Sequence, residues 1–146
     1  LIILFSQQIN AEELIGKPKI VDGDTVFIGT HKIRLEGIDA PELKQKCEKK
    51  GAEYLCGKLA KNKLTKKINN QIIKCISSGK DRYKRHLATC YMREINLNKW
   101  MVMSGYAISY RRYSKKYALE EEFAEHNKLG LWSGFFIFPE KWRKLN

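Results

Sequence analysis

The sequence predicts an α+β fold: a small antiparallel β-barrel with helices packed around it. Three observations carry this expectation. A loosely alternating run rich in Val, Ile and Phe fills 17–28, and further apolar runs at 31–38, 72–76 and 87–92 also read as strands. Apolar residues at 52, 55, 59, 60, 64 and 68 form a helical stripe, and a capped helical segment follows from Asn96. Gly, Pro, Asn and Asp punctuate these segments, with no repeat, linker or second domain.

A chain of 146 residues, 43% hydrophobic and 11% aromatic, is long enough for one domain with a real core. Lys and Arg number 28 against 16 Asp and Glu, a net charge of +12. That excess favours polyanionic partners such as nucleic acid, an anionic membrane or an acidic polysaccharide, although solubility alone also accounts for it. No stretch is long enough to span a membrane. Residues 1–16 read as a lead-in to a domain over 17–146. Leu1 to Phe5 is an apolar run that reads as the tail of an export signal cleaved near Ala11, with Ile9 standing where a small residue is preferred.

From Lys17 to Ile28 the pattern predicts strands, with a turn or bulge at Gly23 between two aspartates. Gly29-Thr30 turns the chain and HKIRLEGI returns it. Ile33 and Leu35 face one side of that strand, Arg34 and Glu36 the other. Pro41 stops it. A charged loop, 44–50, leads to a basic helix from about Ala52. The strands around 72–76 and 87–92 pair as a hairpin turning near Arg82-Tyr83. Asn96 caps a helix from Leu97 to Ser104, Gly105 ends it, and Leu97, Trp100 and Met101 face the core. A last helix covers 117–129, with Leu119 and Phe123 inward and Glu120–Glu122 outward. The aromatic run Phe135, Phe136, Phe138 and Trp142 wraps back onto the body.

The chemistry concentrates between Val21 and Glu42. Asp22, Asp24, Asp39 and Glu42 sit with Arg34 at strand ends, where functional groups are presented. Carboxylates gathered in a basic chain suit a hard cation with oxygen ligands. Taken singly, Asp22 and Asp24 are turn formers and Arg34 is half of an ion pair with Glu36. Tyr110, Arg111, Arg112 and Tyr113 interleave rings with charge, which suits stacking on bases and contact with phosphates, or else makes an amphipathic surface loop. His31, His86 and His126 show no ligand spacing and read as structural or surface residues.

Cys47, Cys56, Cys75 and Cys90 lack the C-x2-C pairs of structural zinc sites. An even count fits two disulfides and an oxidising compartment, the alternative being four reduced thiols. Of three possible connectivities, 47–56 staples the charged loop to the helix and 75–90 joins neighbours across the hairpin.

DGDT at 22–25, RLEGIDAPE at 34–42, DRYKR at 81–85, GYAISYRRYS at 105–114 and GLWSGFF…PEKWR at 130–143 together resemble the staphylococcal (thermonuclease-type) nuclease family, in particular its secreted bacterial members. The resemblance runs from about Lys17 to Arg143. It implies an OB-fold, a five-stranded Greek-key barrel with about three helices. It also implies Ca2+-dependent, sugar-nonspecific hydrolysis of DNA and RNA to 3′-phosphates, with single strands preferred. By motif position, Asp24, Asp39 and the backbone carbonyl of Ala40 are implied as calcium ligands, with Asp22 in support behind them. Glu42 is the implied general base or water-positioning group, and Arg34 and Arg85 the phosphate contacts. Arg82, Tyr83, Tyr110 and Tyr113 are the substrate-side residues. Lys84 departs from the glycine frequent in the family between Tyr83 and Arg85, and Ala40 stands where the best-known member has threonine. A secreted or periplasmic monomer with no membrane partner is the expectation. The alternatives are a non-catalytic OB-fold module that binds nucleic acid, and a binder of anionic surfaces, which leaves the acids without a reason.

Overall fold

A computed structural model describes residues 11–146, so the export-signal expectation for residues 1–10 lies outside the described residues. The main sheet begins earlier than Lys17. Strand β1, Glu12–Gly16, pairs antiparallel with β8, Ile73–Lys80, so part of the expected lead-in is a sheet strand. Only Leu14 of β1 is buried, which leaves too little alternation to read.

Strands β2 (Lys19–Ile20), β3 (Thr25–Ile28) and β4 (His31–Leu35) follow as an antiparallel meander. The β3–β4 turn needs Gly29, whose φ of 58° lies in the left-handed region. Strand β8 pairs antiparallel with β9 (His86–Met92), and β9 also pairs with β10 (Ile95–Asn96). The order β1-β8-β9-β4-β3-β2 curls into a half-barrel. The β4–β9 pairing is parallel, because the chain crosses over through a helix and β8 before reaching β9. Ile33 and Leu35 are buried as the alternation predicts, and they join Val26, Ile38, Leu64, Ile68, Ile73, Leu97 and Met101 in one core.

Helix α1, Cys56–Ile68, starts later than the apolar stripe suggested. Residues 52–54 form β7 (Ala52–Tyr54) against β6 (Cys47–Lys49), so Ala52 and Leu55 leave the helical face. Gly57, Ala60, Leu64 and Ile68 carry the buried stripe. On its outer side Lys63 and Lys67 lie over the rings of Tyr106 and Trp100, at 5.6 and 5.2 Å.

Cys47 bonds Cys56, and Cys75 bonds Cys90, its register partner across the hairpin. A loop of the latter size contributes about 3 kcal/mol by restricting the unfolded chain. Helix α2, Leu97–Met103, is capped by Asn96, whose side chain accepts from the Lys99 N–H at 3.0 Å. Gly105 follows at φ 81°. Among the histidines, His86 is buried with Nδ1 3.0 Å from Ser77 Oγ, while His31 and His126 are exposed.

Helix α3, Ala118–His126, reverses the expected facing. Leu119 and Phe123 are 76% and 45% exposed, whereas Glu121 is 2% exposed. The reason is a polar anchor. Glu121 Oε1 accepts the Ser109 N–H of β11 (Ile108–Ser109) at 3.1 Å, and its other oxygen pairs with Arg111. A buried carboxylate satisfied in this way outweighs two apolar side chains in setting the helix rotation. Nor is α3 the last helix: a 3-10 turn, Gly130–Ser133, leads to α4, Pro139–Leu145. The aromatic run wraps back only in part. Phe136 packs edge-on to Trp132 at 5.0 Å, while Phe135 and Phe138 stay exposed.

Candidate active site

The DGDT segment is the turn between β2 and β3. Val21 and Asp22 donate their N–H groups to the Thr25 carbonyl, and Asp22 Oδ1 accepts the Asp24 N–H at 3.0 Å. Glycine is required here by close approach. A Cβ on Gly23 would meet the Cβ atoms of Ala40 and Ala60 at 2.7 and 2.9 Å. The turn is thereby pressed against α1 and against the segment after β5 (Ile38–Asp39).

This packing brings acids and arginines into an alternating chain. Arg34 Nη1 lies 3.1 Å from Asp24 Oδ2, and its Nη2 lies 3.4 Å from Asp39 Oδ1. Arg143 of α4 then takes Asp39 in a fork, Nη1 to Oδ1 and Nη2 to Oδ2, both at 3.0 Å. The same Nη1 reaches Glu42 Oε1 at 3.0 Å. So the order is Asp24, Arg34, Asp39, Arg143, Glu42. Asp39 is wholly buried, and burial of such a charge is tolerable only with partners like these.

Titration follows from that arrangement. Burial, reinforced by the Asp24 charge, pushes the Asp22 carboxyl up to about 7. Burial likewise pushes Asp39 up to about 6, although the Arg143 hydrogen bonds pull the other way. Burial works against the Arg34 charge, but Asp24, Asp39 and Asp22 outweigh it and hold the guanidinium charged. Each raised carboxyl binds its proton more tightly folded than unfolded. Its contribution to stability is therefore present at low pH and lost as pH rises. In metal-free protein the thermal midpoint is expected to fall between about pH 4 and pH 7, and Asp22→Asn to flatten the fall. Melting curves followed by circular dichroism in chelator check this. An equal slope in both proteins contradicts it.

Arg85 arrives on the β8–β9 turn. Asp81 organises that turn, its Oδ1 accepting the N–H groups of Tyr83 and Arg85 at 2.9 and 3.0 Å. Asp81 Oδ2 accepts from Arg85 Nε at 2.8 Å. Lys84 adopts φ 62°, the left-handed conformation that glycine reaches without a Cβ penalty. Arg82 and Arg85 flank the Tyr83 ring at 4.9 and 5.4 Å. Across the cleft Tyr110 and Tyr113 meet edge to face at 4.9 Å, with Arg34 5.9 Å from the Tyr110 ring. Asp22, Asp24, Arg34, Asp39, Glu42, Arg82, Tyr83, Arg85, Tyr110, Tyr113 and Arg143 all line one cleft of about 1050 Å³. Ala40 is buried beside it, and its N–H donates to Asp24 Oδ2 at 2.7 Å. The cysteines lie in the frame.

The donor set is all oxygen, as a hard divalent cation requires, and among the described residues Asp22 makes no ion pair, its Oδ1 accepting only the Asp24 N–H. Among the described residues, no three His, Cys, Asp or Glu side chains close into a cage, because Arg34 and Arg143 bridge the acids. The chemistry of the donors thus fits a hard cation, in a site where arginines already balance part of the charge.

Three residues that position Glu42 were missed in the sequence. Gln45 is fully buried; its Oε1 accepts the Glu42 N–H at 3.2 Å and its Nε2 donates to the Ile137 carbonyl at 2.7 Å. Gly57, at the start of α1, lies against the Glu42 carbonyl. Arg143, in the PEKWR segment, holds Asp39 and Glu42 from α4. Gln45 and Gly57 carry no sequence signal, and the PEKWR tail offered only its arginine.

The geometry defines a cleft lined by acids, arginines and tyrosines on a small barrel, and comparison with known proteins identifies the lineage. The profile of staphylococcal nuclease homologues matches residues 32–134, more than half of the chain. The chain belongs to that family, and its curled sheet is the family's OB-fold. It is 35% identical over 134 residues to an uncharacterized endonuclease of Haemophilus influenzae, covering 86% of this chain and 70% of the relative. It is 34% identical over 126 residues to the succinoglycan biosynthesis protein ExoI of Rhizobium meliloti, covering 84% of this chain and 66% of the relative. It is 32% identical over 145 residues to a micrococcal nuclease of Shigella flexneri, covering 86% and 78%. The family and these nuclease relatives support a nuclease that acts on nucleic acid.

Proposed function

We propose that the protein is a calcium-dependent, sugar-nonspecific nuclease that hydrolyses DNA and RNA, preferring single strands and leaving 3′-phosphates. One observation carries the reading: Asp24, Arg34, Asp39 and Glu42 converge in a cleft whose walls bring Arg85 and three tyrosines to the same space. A phosphodiester is anionic, so attack by water needs positive charge at the oxygens that gain negative charge. Bound calcium would supply Lewis acidity there, held by Asp24, Asp39 and the Ala40 carbonyl with Asp22 in support.

The chain's own residues do the rest. Arg34 and Arg85 present guanidinium forks that match phosphate oxygens. Glu42 accepts a proton from water as the water oxygen bonds to phosphorus. The bond from phosphorus to the 5′ oxygen breaks, that oxygen takes a proton from solvent water to end as a hydroxyl, phosphate stays on the 3′ side, and Glu42 releases its proton to solvent. Tyr83 and Tyr113, both well exposed, with Tyr110 beside them, offer faces on which unpaired bases stack. Arg82 adds charge along the strand. Two disulfides suit an oxidising compartment, and we assign a secreted or periplasmic monomer. Among the described residues no helix is long and apolar enough to cross a membrane.

The test is incubation of purified protein with single-stranded DNA or RNA in Ca2+ or in EDTA. Both substrates are expected to be cut in Ca2+ to 3′-phosphate ends and left intact in EDTA. Cleavage that survives chelation contradicts the calcium assignment. Binding without cleavage in either condition points to a non-catalytic module.

A further inference from the structure

The C-terminal motif PEKWR takes no part in the chemistry above, yet it delivers a guanidinium to the centre of the cleft. Arg143 contacts both oxygens of Asp39 and one of Glu42, each at 3.0 Å. A fork on a buried carboxylate is among the strongest geometries arginine makes. The contacts also raise the Arg143 pKa, against the effect of burial. The helix that carries it is lightly attached otherwise. Only Pro139 of α4 is buried, and Arg112–Glu140 is an ion pair at the surface. Its other anchors lie just before the helix, where Gln45 bonds the Ile137 carbonyl and Phe138 packs on Trp132 and Phe136.

We propose that Arg143 is a positioning residue that competes with the cation: without a cation it holds Asp39 and Glu42 together, and cation binding frees it and loosens α4. The inference rests on the calcium reading above. Its physical basis is that both positive groups require the Asp39 oxygens. Two like charges a few ångströms apart at a buried carboxylate repel strongly. Antagonism between them is reciprocal, so the cation weakens the hold on α4 by the factor that the hold weakens the cation. Segments with few buried contacts are the ones such a shift can release. Without the cation, the fork also keeps two carboxylates adjacent that would otherwise repel.

The experiment pairs calorimetric titration of Ca2+ with hydrogen exchange over residues 139–146. In the unaltered protein Ca2+ is expected to speed exchange in that segment. Arg143→Gln should bind Ca2+ about tenfold tighter, with fast exchange that Ca2+ no longer changes, while Arg143→Lys, charged but unable to fork, should lie between. Unchanged or weaker affinity in Arg143→Gln overturns the inference. So does tighter binding with no effect of Ca2+ on exchange in the unaltered protein, an arm that needs no variant. Ca2+ binding with a static tail leaves the calcium reading standing. Absence of Ca2+ binding in every form removes both.

Discussion

Glu42→Gln is expected to lower kcat by about 10²–10⁴, the usual worth of a positioned general base, while changing the Kd for single-stranded DNA only a few-fold. Glutamine keeps the shape and an oxygen for Arg143 Nη1, which now lies 3.0 Å from Glu42 Oε1. What it loses is the capacity to take a proton from water. Binding rests on other groups: the forks of Arg34 and Arg85 and the tyrosine faces. Steady-state kinetics beside a catalysis-free binding measurement in chelator separates the two effects. A large loss of affinity with kcat intact removes Glu42 from the base role. If Glu42 instead only orients the water, the pH profile of kcat should keep its shape when the carboxylate becomes an amide.

Gly57→Ala is expected to destabilise the fold by about 1–3 kcal/mol, the usual range for overpacking, and to lower activity by about 10², the scale of a 1 Å misplacement. A Cβ there would stand 1.6 Å from the Glu42 carbonyl oxygen and 2.4 Å from its carbon. Both are backbone atoms and cannot swing aside. The helix cannot easily back away either, because Cys56 beside it is bonded to Cys47. Helix propensity alone makes the opposite prediction, since alanine favours a helix over glycine by about 1 kcal/mol. The sign of the change therefore decides between local preference and the tertiary contact. Chemical denaturation and initial rates check it, with Lys58→Ala as an exposed neighbour expected to be neutral in both. A stabilised or fully active Gly57→Ala would mean that Glu42 does not depend on this contact.

Much of the fold was legible because it is local. The alternation in 31–35 placed Ile33 and Leu35 in the core and Arg34 on the other face. The Asn96 cap and the Gly105 stop bounded α2 correctly. The turn formers at 81–85 located the hairpin that makes Cys75 and Cys90 neighbours. Local pattern failed where a distant partner sets the outcome. Helix α3 faces the core with Glu121 because Ser109 offers a buried N–H, and no hydrophobic periodicity reports that. Strand β1 exists because β8 needs a partner along its free edge, and β1 itself buries only Leu14.

The candidate site divides the same way. Its residue types, two strand-end acid groups around Arg34 and a basic turn at Arg85, are written in short motifs, because strands and tight turns translate spacing directly into direction. The arrangement of those groups is not. Gln45, Gly57 and Arg143 fix Glu42 from three separate elements, through a buried amide, a missing Cβ and a guanidinium that joins α4 to Asp39. Sequence alone determined the acids of the cleft and the arginines Arg34 and Arg85, though not Arg143. The tertiary structure decided how they pair, because pairing depends on distances of about 3 Å between residues as much as 104 positions apart.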